Sequence, residues 1–357
     1  MRKAEINLDC LQHNAEAIRR LRPCQKILAY VKSNAYGHGL SEVVKALNDH
    51  VDGYGVVGLQ EGLKCRQLTS LPVVVNASAS DLKTLIAMSA HQLEPVVFSL
   101  DYLEKLLKTP VSWPRIWLKI NTGMNRMGLH HSDVSKAVTL LQQSGRVKSI
   151  IPMTHLADSS MSIDNKHQLA RFRDWVDKSS FSSSSYANSA AILESNDHRH
   201  GEWIRPGLLL YGWTPEENQT HLIDLKPVMS LFSQILSINH LSSGSTVGYG
   251  RHYVAKQPHL AAMVSFGYAD GLPRQIHTAK VLLGEAVGEV IGLPSMDTAC
   301  VYLHSKAKVG DWVEWFSPRH SLHHLAASSQ TIPYEILTRL SERVERVYVK
   351  EYDKVEG

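Results

Sequence analysis

Cysteine is scarce: four residues in 357, at Cys10, Cys24, Cys65 and Cys300, with no two spaced as CxxC. That excludes a disulfide framework and leaves structural zinc unsupported, so a reducing compartment is the simplest expectation. Long apolar runs are missing as well. The chain opens MRKAEINLDCLQHN, a basic start with no apolar stretch behind it. Neither a secretory signal nor a membrane span is expected, and the cytoplasm is the default. A basic track is also absent. Lys and Arg number 38 against 34 Asp and Glu, a net +4, and even Arg19-Arg20 and Arg343 to Arg346 are interrupted. The charge pattern therefore speaks against nucleic acid and for a solvated surface with a mild field for small anions. The 19 histidines include no HExxH and no ligand cluster, so metal catalysis has little support. His198, His200, His320, His323 and His324 are expected on surface loops. No GxGxxG follows an early strand, which counts against a doubly wound dinucleotide fold.

What is present is an ordinary globular balance, 43% hydrophobic and 20% charged, at a length that suits two domains. Ala4 to Leu8 alternates as a strand, and Asp9 can cap a helix that Pro23 stops. Lys26 to Val31 is an apolar run ending at Lys32 and a polar, glycine-bearing loop. Further runs, each leading into a loop or a helical pattern, follow at Tyr54–Gly58, Pro72–Val75, Val96–Phe98, Arg115–Ile120, Ile151–Leu156 and around Ser184–Tyr186. Leu208–Tyr211 closes the series. About eight short βα units predict an N-terminal (β/α)8 barrel over residues 1–225. The serine tract Ser179–Ser185 reads as a loop. Beyond Trp213–Leu225 the helical period fades. β-like runs at Met229–Asn239, Ala261–Phe266, Ala279–Leu283, Ala286–Ile291 and Asp311–Phe316 predict a mostly antiparallel β domain over 226–357.

Barrel active sites lie where the strands end. The polar residues to inspect there are Lys32, Tyr36, His38, Lys119, Asn121, Arg126, His155, Asn188, Ser189 and Arg205. Lys32 is the sharpest. Burial at a strand end favours the neutral, nucleophilic amine that a Schiff base with an aldehyde cofactor needs. An ordinary lysine snorkelling out of a loop is the plainer alternative. Arg205-Pro206-Gly207 could bring an arginine and close-approaching backbone amides to a phosphate, or could simply be a turn. Tyr268, beside the turn signal Asp270-Gly271, could reach a neighbouring site as acid or base, or pack at an edge.

These segments resemble one family in register. Ala29-Tyr-Val-Lys-Ser-Asn-Ala-Tyr-Gly-His-Gly39 is similar to the cofactor-lysine motif of bacterial alanine racemases. The likeness continues through Leu118 to Gly128, Met153-Thr-His155, Asn188-Ser-Ala190, Arg205-Pro-Gly207, Gly267 to Arg274, Ser295-Met-Asp297 and Tyr334-Glu335. The resemblance implies pyridoxal 5′-phosphate as cofactor. It also implies a head-to-tail homodimer whose active sites each borrow residues from the partner. In the roles it implies, Lys32 joins the cofactor aldehyde and acts as one base, and Tyr268 of the other subunit is the opposing base. His155 links that tyrosine to Arg205, and Arg205 faces the pyridine nitrogen. Arg126 stands near the cofactor's phenolic oxygen and the substrate carboxylate. Tyr36, Ser189, Gly207, Leu208 and Tyr334 hold the phosphate. Met296, again from the other subunit, meets the substrate carboxylate through its amide, and Lys119 matches a position often carbamylated.

The implied activity is two-base interconversion of L- and D-alanine, supplying D-alanine for peptidoglycan. Alternatives are a racemase of broader small-amino-acid range, serine included, a barrel-type decarboxylase, and a non-catalytic cofactor carrier. The sequence departs from the pattern in three places. Asn121 replaces a frequent Asp, while Ser160 and Leu293 replace an Asp and an Arg that pair across the entrance. The loss of both charges predicts a wider or less polar corridor, with neutral drift as the plainer alternative.

Overall fold

In a computed structural model the described residues are 1–350, apart from 78, 80, 180, 195–201 and 277; His198 and His200 lie outside them. The chain forms two compact units. One comprises Gln12–Ala35 and Leu40–Leu225. The other gathers Met1–Leu11, Tyr36–Gly39 and the residues from Lys226 onward.

Strand β1 (Arg2–Asn7) belongs to the second unit. The first unit carries seven parallel strands, β2 (Lys26–Tyr30), β3 (Gly53–Val56), β4 (Val73–Val75), β5 (Leu93–Val97), β6 (Ile116–Lys119), β7 (Ile150–Met153) and β8 (Trp203–Ile204). Their order is β7-β6-β5-β4-β3-β2-β8. The segment 184–187 fills the remaining gap. Ser185 N–H donates to Pro152 O (2.9 Å), Trp203 N–H to Ser184 O (3.2 Å) and Arg205 N–H to Ala187 O (2.9 Å). Eight strand positions thus close a barrel. The strands β3 to β6 are buried at every position, as parallel strands covered by helices must be. The helices start where their caps say. Asp81 accepts from Thr84 N–H and opens Leu82–Ala90, and Ser99 accepts from Tyr102 N–H and opens Leu100–Lys108. At the N-terminal end of the strands, buried Glu94 accepts from Trp117 Nε1 (2.7 Å) and Arg115 Nη1 (3.2 Å). This pair ties neighbouring strands together at the end opposite the strand-end loops.

The second unit adds β9 (Met229–Leu241), β10 (Thr246–Val247), β11 (Tyr253–Val254), β12 (His259–Val264), β13 (Lys280–Leu283), β14 (Ala286–Ile291), β15 (Ala299–Leu303), β16 (Trp312–Phe316) and β17 (Glu345–Val349). The main sheet runs β12-β15-β14-β13-β16-β9-β1-β17, and a further β12–β9 pairing closes six of these strands into a ring. All pairings in it are antiparallel except β1 with β17. Trp315, Phe316 and Phe266 fill its interior.

Four sequence expectations change. The alternating strand at the N-terminus does not join the barrel. Ala4 pairs with Leu231 of β9 and with Arg346 of β17, which buries Ala4 and Ile6 completely. Tyr36–Gly39 also leaves the 1–225 unit. Arg346 donates to Gly37 O (3.0 Å), and a Cβ on Gly37 would stand 2.2 Å from Leu337 O, so only glycine fits. Leu208–Tyr211 is a 3₁₀ helix rather than the closing strand. All four of its side chains are buried, and a short run buried all round has no period by which the two could be told apart. Lastly, His320 and His323 are buried rather than on surface loops. His323 and His324 belong to the helix Leu322–Ser328, and His320 Nε2 meets Lys280 O at 2.9 Å. No helix among the described residues is long and apolar enough to cross a membrane.

Candidate active site

The first unit collects its candidate side chains where strands end. Lys32 follows β2, Lys119 is the last residue of β6, His155 stands two residues past β7, and Arg205 directly follows β8. The backbone after Lys32 is unusual. Ser33, Asn34, Ala35 and Tyr36 all have φ between 52° and 55°, a full left-handed turn without glycine. Each such residue costs roughly 1–2 kcal/mol, and strain of this kind concentrates at functional sites. The turn is held by Ala35 N–H to Val31 O (2.9 Å), Leu40 N–H to Asn34 Oδ1 (2.8 Å) and Ser33 N–H to Glu61 Oε1 (2.6 Å).

Arg205 is buried and fixed on several sides. It donates to Ser185 Oγ (2.6 Å), Thr154 O (2.6 Å) and Tyr186 O (3.3 Å), with His155 Nδ1 3.5 Å away. Ser189 opens the short helix Ser189–Glu194, and its Oγ lies 3.5 Å from the Gly207 amide, next to Leu208 at the start of the 3₁₀ turn. Asn188 Oδ1 accepts from Ala191 N–H.

These groups crowd positive charge into a buried place. Burial, then Arg126, holds the Lys32 amine below its usual range, while Glu61 opposes. Lys119 is pushed down to about 8 by burial, then by Arg205, Arg126 and Lys32. Burial and the same cations hold His155 well below the ordinary imidazole range, so it is neutral. The donor set is therefore two amines able to lose a proton, the fixed Arg205 guanidinium, the exposed Arg126 and the Ser189–Gly207 hydroxyl and amide. Such a set fits an anionic aldehyde cofactor such as pyridoxal phosphate.

Lys119 yields a stability prediction with a definite sign. Its charged form is disfavoured only in the folded protein. The cost is absent above the unfolded value of 10.5, grows as pH falls towards 8, and is constant below. Lys119→Met should stabilise the cofactor-free protein by about 1–3 kcal/mol at pH 7, with the gain fading as pH rises towards 10.5. Urea unfolding across that range reads it, and a variant no more stable than wild type at pH 7 rejects the cation crowding.

The second unit presents the other candidates. Tyr268 and Met296 lie on adjoining loops, with Tyr268 N–H donating to Ser295 O and Ala269 N–H to Met296 O, both at 3.0 Å. A Cβ on Gly267 would sit 2.4 Å from Met296 O, so the two loops touch backbone to backbone. Buried Asp270 braces the turn from below. Its Oδ2 accepts from Gly267 N–H (2.9 Å), and its other oxygen meets Arg2 (3.0 Å) and Arg343 (3.1 Å). Tyr268 is 41% exposed and Met296 52%. In the same unit the Tyr36 and Tyr334 rings lie 6.2 Å apart.

The sequence reading did not single out Tyr249. This tyrosine is 70% exposed, on a turn where Gly248, Gly250 and Arg251 all have positive φ. Together with Leu293 and Ser295 it lines a cavity of about 330 Å³ in the second unit. The usable signal was Gly248-Tyr-Gly250, a large side chain raised between two glycines. Of the departures, Asn121 shapes its own loop by accepting from Gly123 and Asn125 N–H (both 3.1 Å), which needs only one side-chain oxygen. Near Ser160, the Asp158 carboxylate accepts from Ser162 Oγ, which ties it to the start of the helix Ile163–Asp177.

The chain matches the family model "Alanine racemase, N-terminal domain" over residues 6–215 and "Alanine racemase, C-terminal domain" over 228–348. It belongs to the alanine racemase family. Relatives include a catabolic alanine racemase of Pseudomonas putida, 36% identical over 98% of this chain and 99% of that one. The alanine racemase of Nitrosomonas eutropha is 37% identical over 97% and 98%. Among solved structures, the biosynthetic alanine racemase from Pseudomonas aeruginosa superposes with a TM-score of 0.92 at 32% identity, covering 98% and 99% of the two chains. That from Acinetobacter baumannii gives 0.90 at 30%, with the same coverage. This family membership joins the cation-lined barrel mouth to a pyridoxal-phosphate-dependent, barrel-type enzyme class.

Proposed function

We propose that this protein interconverts L- and D-alanine with pyridoxal phosphate and so supplies D-alanine for peptidoglycan. The observation that carries the reading is Lys32, a half-buried lysine just before a strained left-handed turn with Arg126 disfavouring its charge, in a chain that matches both family domains. Lys32 would hold the cofactor. Ser189 and the amides of Gly207 and Leu208 would take its phosphate, and the family resemblance adds Tyr36 and Tyr334 to that role. Bound pyridoxal phosphate supplies the electron sink without which a Cα proton is too hard to remove.

The rest is the work of the protein's own groups. Arg205 cannot give up a proton at working pH, so a ring nitrogen facing it stays unprotonated. That favours racemisation over transamination. Neutral His155 beside Arg205 can accept and orient a hydroxyl without adding charge. Arg126 would draw the substrate carboxylate, joined by Met296. Lys119, with its amine lowered to about 8, keeps a neutral fraction at physiological pH that can add carbon dioxide. The resulting carbamate would orient Arg126.

Racemisation needs a base on each face of Cα. Lys32 serves one. For the other we favour a tyrosine given by the second unit of a partner chain in a homodimer. The family resemblance points to Tyr268. The greater exposure of Tyr249 and its raised, positive-φ turn favour Tyr249 for the hydroxyl, with Tyr268 and Met296 as walls beside it.

The test is a single assay by chiral chromatography with labelled L-alanine, L-serine and L-lysine. D-Alanine is the expected product, and the D-serine yield reads how far Ser160 and Leu293 widen the range. Release of carbon dioxide from lysine would instead establish a decarboxylase. Failure of L-alanine to exchange its α-hydrogen in D₂O would leave only a cofactor carrier.

A further inference from the structure

One carboxylate beside the proposed cofactor lysine has no part in the function above. Glu61 stands in the first turn of the helix Leu59–Arg66, whose N-cap, Gly58, offers no side chain to the helix. Instead of capping, the Glu61 carboxylate reaches out of its helix in two directions. Oε1 accepts from Ser33 N–H at 2.6 Å, and Oε2 accepts from Val57 N–H at 3.1 Å. Ser33 is the first residue of the left-handed turn and the immediate neighbour of Lys32. Val57 directly follows β3, the strand paired with β2. The Val31 amide already donates to Gly55 O across the same pair of strands (3.0 Å). Strand pairing thus fixes the chain before Lys32, and Glu61 fixes it immediately after.

We propose that Glu61 is a positioning residue for Lys32: its two carboxylate oxygens clamp the turn that follows Lys32 to the end of β3, and so set where the Lys32 amine points. The inference deepens the reading of Lys32 as the cofactor lysine and rests on it. The chemistry of the clamp is specific. Both partners are N–H donors, so the clamp needs two acceptors on one side chain. A glutamine offers one carbonyl oxygen and sets an NH₂ against the other donor. Aspartate has both acceptors but is one methylene short. Without the clamp, a turn that its own φ values disfavour is free to relax towards ordinary backbone and carry the amine with it. A displacement of about 1 Å in a reacting group can cost on the order of 100-fold in rate.

The experiment uses the cofactor-loaded, full-length protein with Glu61→Gln and Glu61→Ala. Racemisation of L-alanine gives kcat and KM, and the cofactor absorption spectrum is titrated with pH. The charged and titratable groups facing Lys32 are Glu61, Arg126, Lys119 and His155. Only the first is anionic, so its loss moves the titration midpoint of the lysine-linked band to lower pH. The expected result is a fall in kcat of about tenfold in the Gln variant and about 100-fold in the Ala variant, with KM for alanine changed less than twofold. Should the Ala variant not fold, the isosteric Gln variant alone decides. A Gln variant with wild-type kcat and an unmoved midpoint overturns the proposal. A wild-type protein that shows no lysine-linked band, or a Lys32→Ala protein that keeps it, overturns the assignment of Lys32 and this inference together. Loss of the Glu61 effect alone leaves Lys32 standing.

Discussion

Lys32→Ala is expected to abolish racemisation, lowering kcat/KM for alanine by at least about 10⁴-fold, a loss of the size seen when a covalent group that is also a base is removed. The lysine-linked absorption band should vanish with it. Lys32→Arg should fail equally, because a guanidinium is neither a nucleophile nor a base at working pH. Folding should not be the cause. Lys32 sits against Arg126 in a partly buried place, where burial and that neighbour both oppose its charge. Removing the amine relieves this opposition, so with both proteins free of cofactor the Ala variant should unfold in urea at or above the wild-type midpoint. Turnover within tenfold of wild type would reject Lys32 as the cofactor lysine. A lost activity accompanied by a lowered urea midpoint of the cofactor-free protein would instead mark it as a structural residue.

The second large effect separates two tyrosines. Tyr249→Phe is expected to lower racemisation by roughly 10²–10⁴-fold, the ordinary range for deleting an acid–base group. Tyr268→Phe should cost about tenfold or less if that ring is only a wall. The losses should also be directional. With the tyrosine acting on L-alanine and Lys32 on D-alanine, Tyr249→Phe should still let D-alanine exchange its α-hydrogen in D₂O, since Lys32 can remove and return a proton on its own face. L-Alanine should not exchange. If Tyr268→Phe produces this asymmetry and Tyr249→Phe does not, the base is Tyr268, as the family resemblance implies. Because Tyr249 is mostly exposed and Tyr268 partly so, removing one hydroxyl from either should alter the urea midpoint little.

Much of this site could be read along the chain because its polar residues are punctuated by local pattern. Lys32, Lys119, His155 and Arg205 each end or follow a short apolar run, and strand ends are where barrels work. What stayed hidden is what depends on distant partners or on backbone. The Ala4–Leu8 alternation announces a strand but cannot name its neighbours. Those neighbours, β9 and β17, lie more than 200 residues away. Leu208–Tyr211 is apolar at all four positions, so neither a two-residue nor a three-residue repeat can show itself. Nothing in Ser33-Asn34-Ala35 foretells a left-handed turn, as none of the three is glycine. Glu61 is invisible for the same reason, since its partners are two main-chain N–H groups. Tyr249 sits in a glycine-rich turn between the very short strands β10 and β11, where turn chemistry masks a displayed side chain.

Strand β1 carries a consequence for the order of assembly. It leaves the ribosome ahead of the other described strands, yet its hydrogen-bonding neighbours are β9, starting at Met229, and β17, starting at Glu345. At roughly 5–20 residues per second, synthesis separates the first strand from the last by tens of seconds to about a minute. Until β9 is made Ala4 and Ile6 have neither neighbour, and until β17 is made they lack the second, while the intervening barrel has all of its own strands to hand. The nascent chain must therefore shelter a sticky leading segment until translation is nearly done, and an N-terminal fusion that folds quickly should interfere most during that wait.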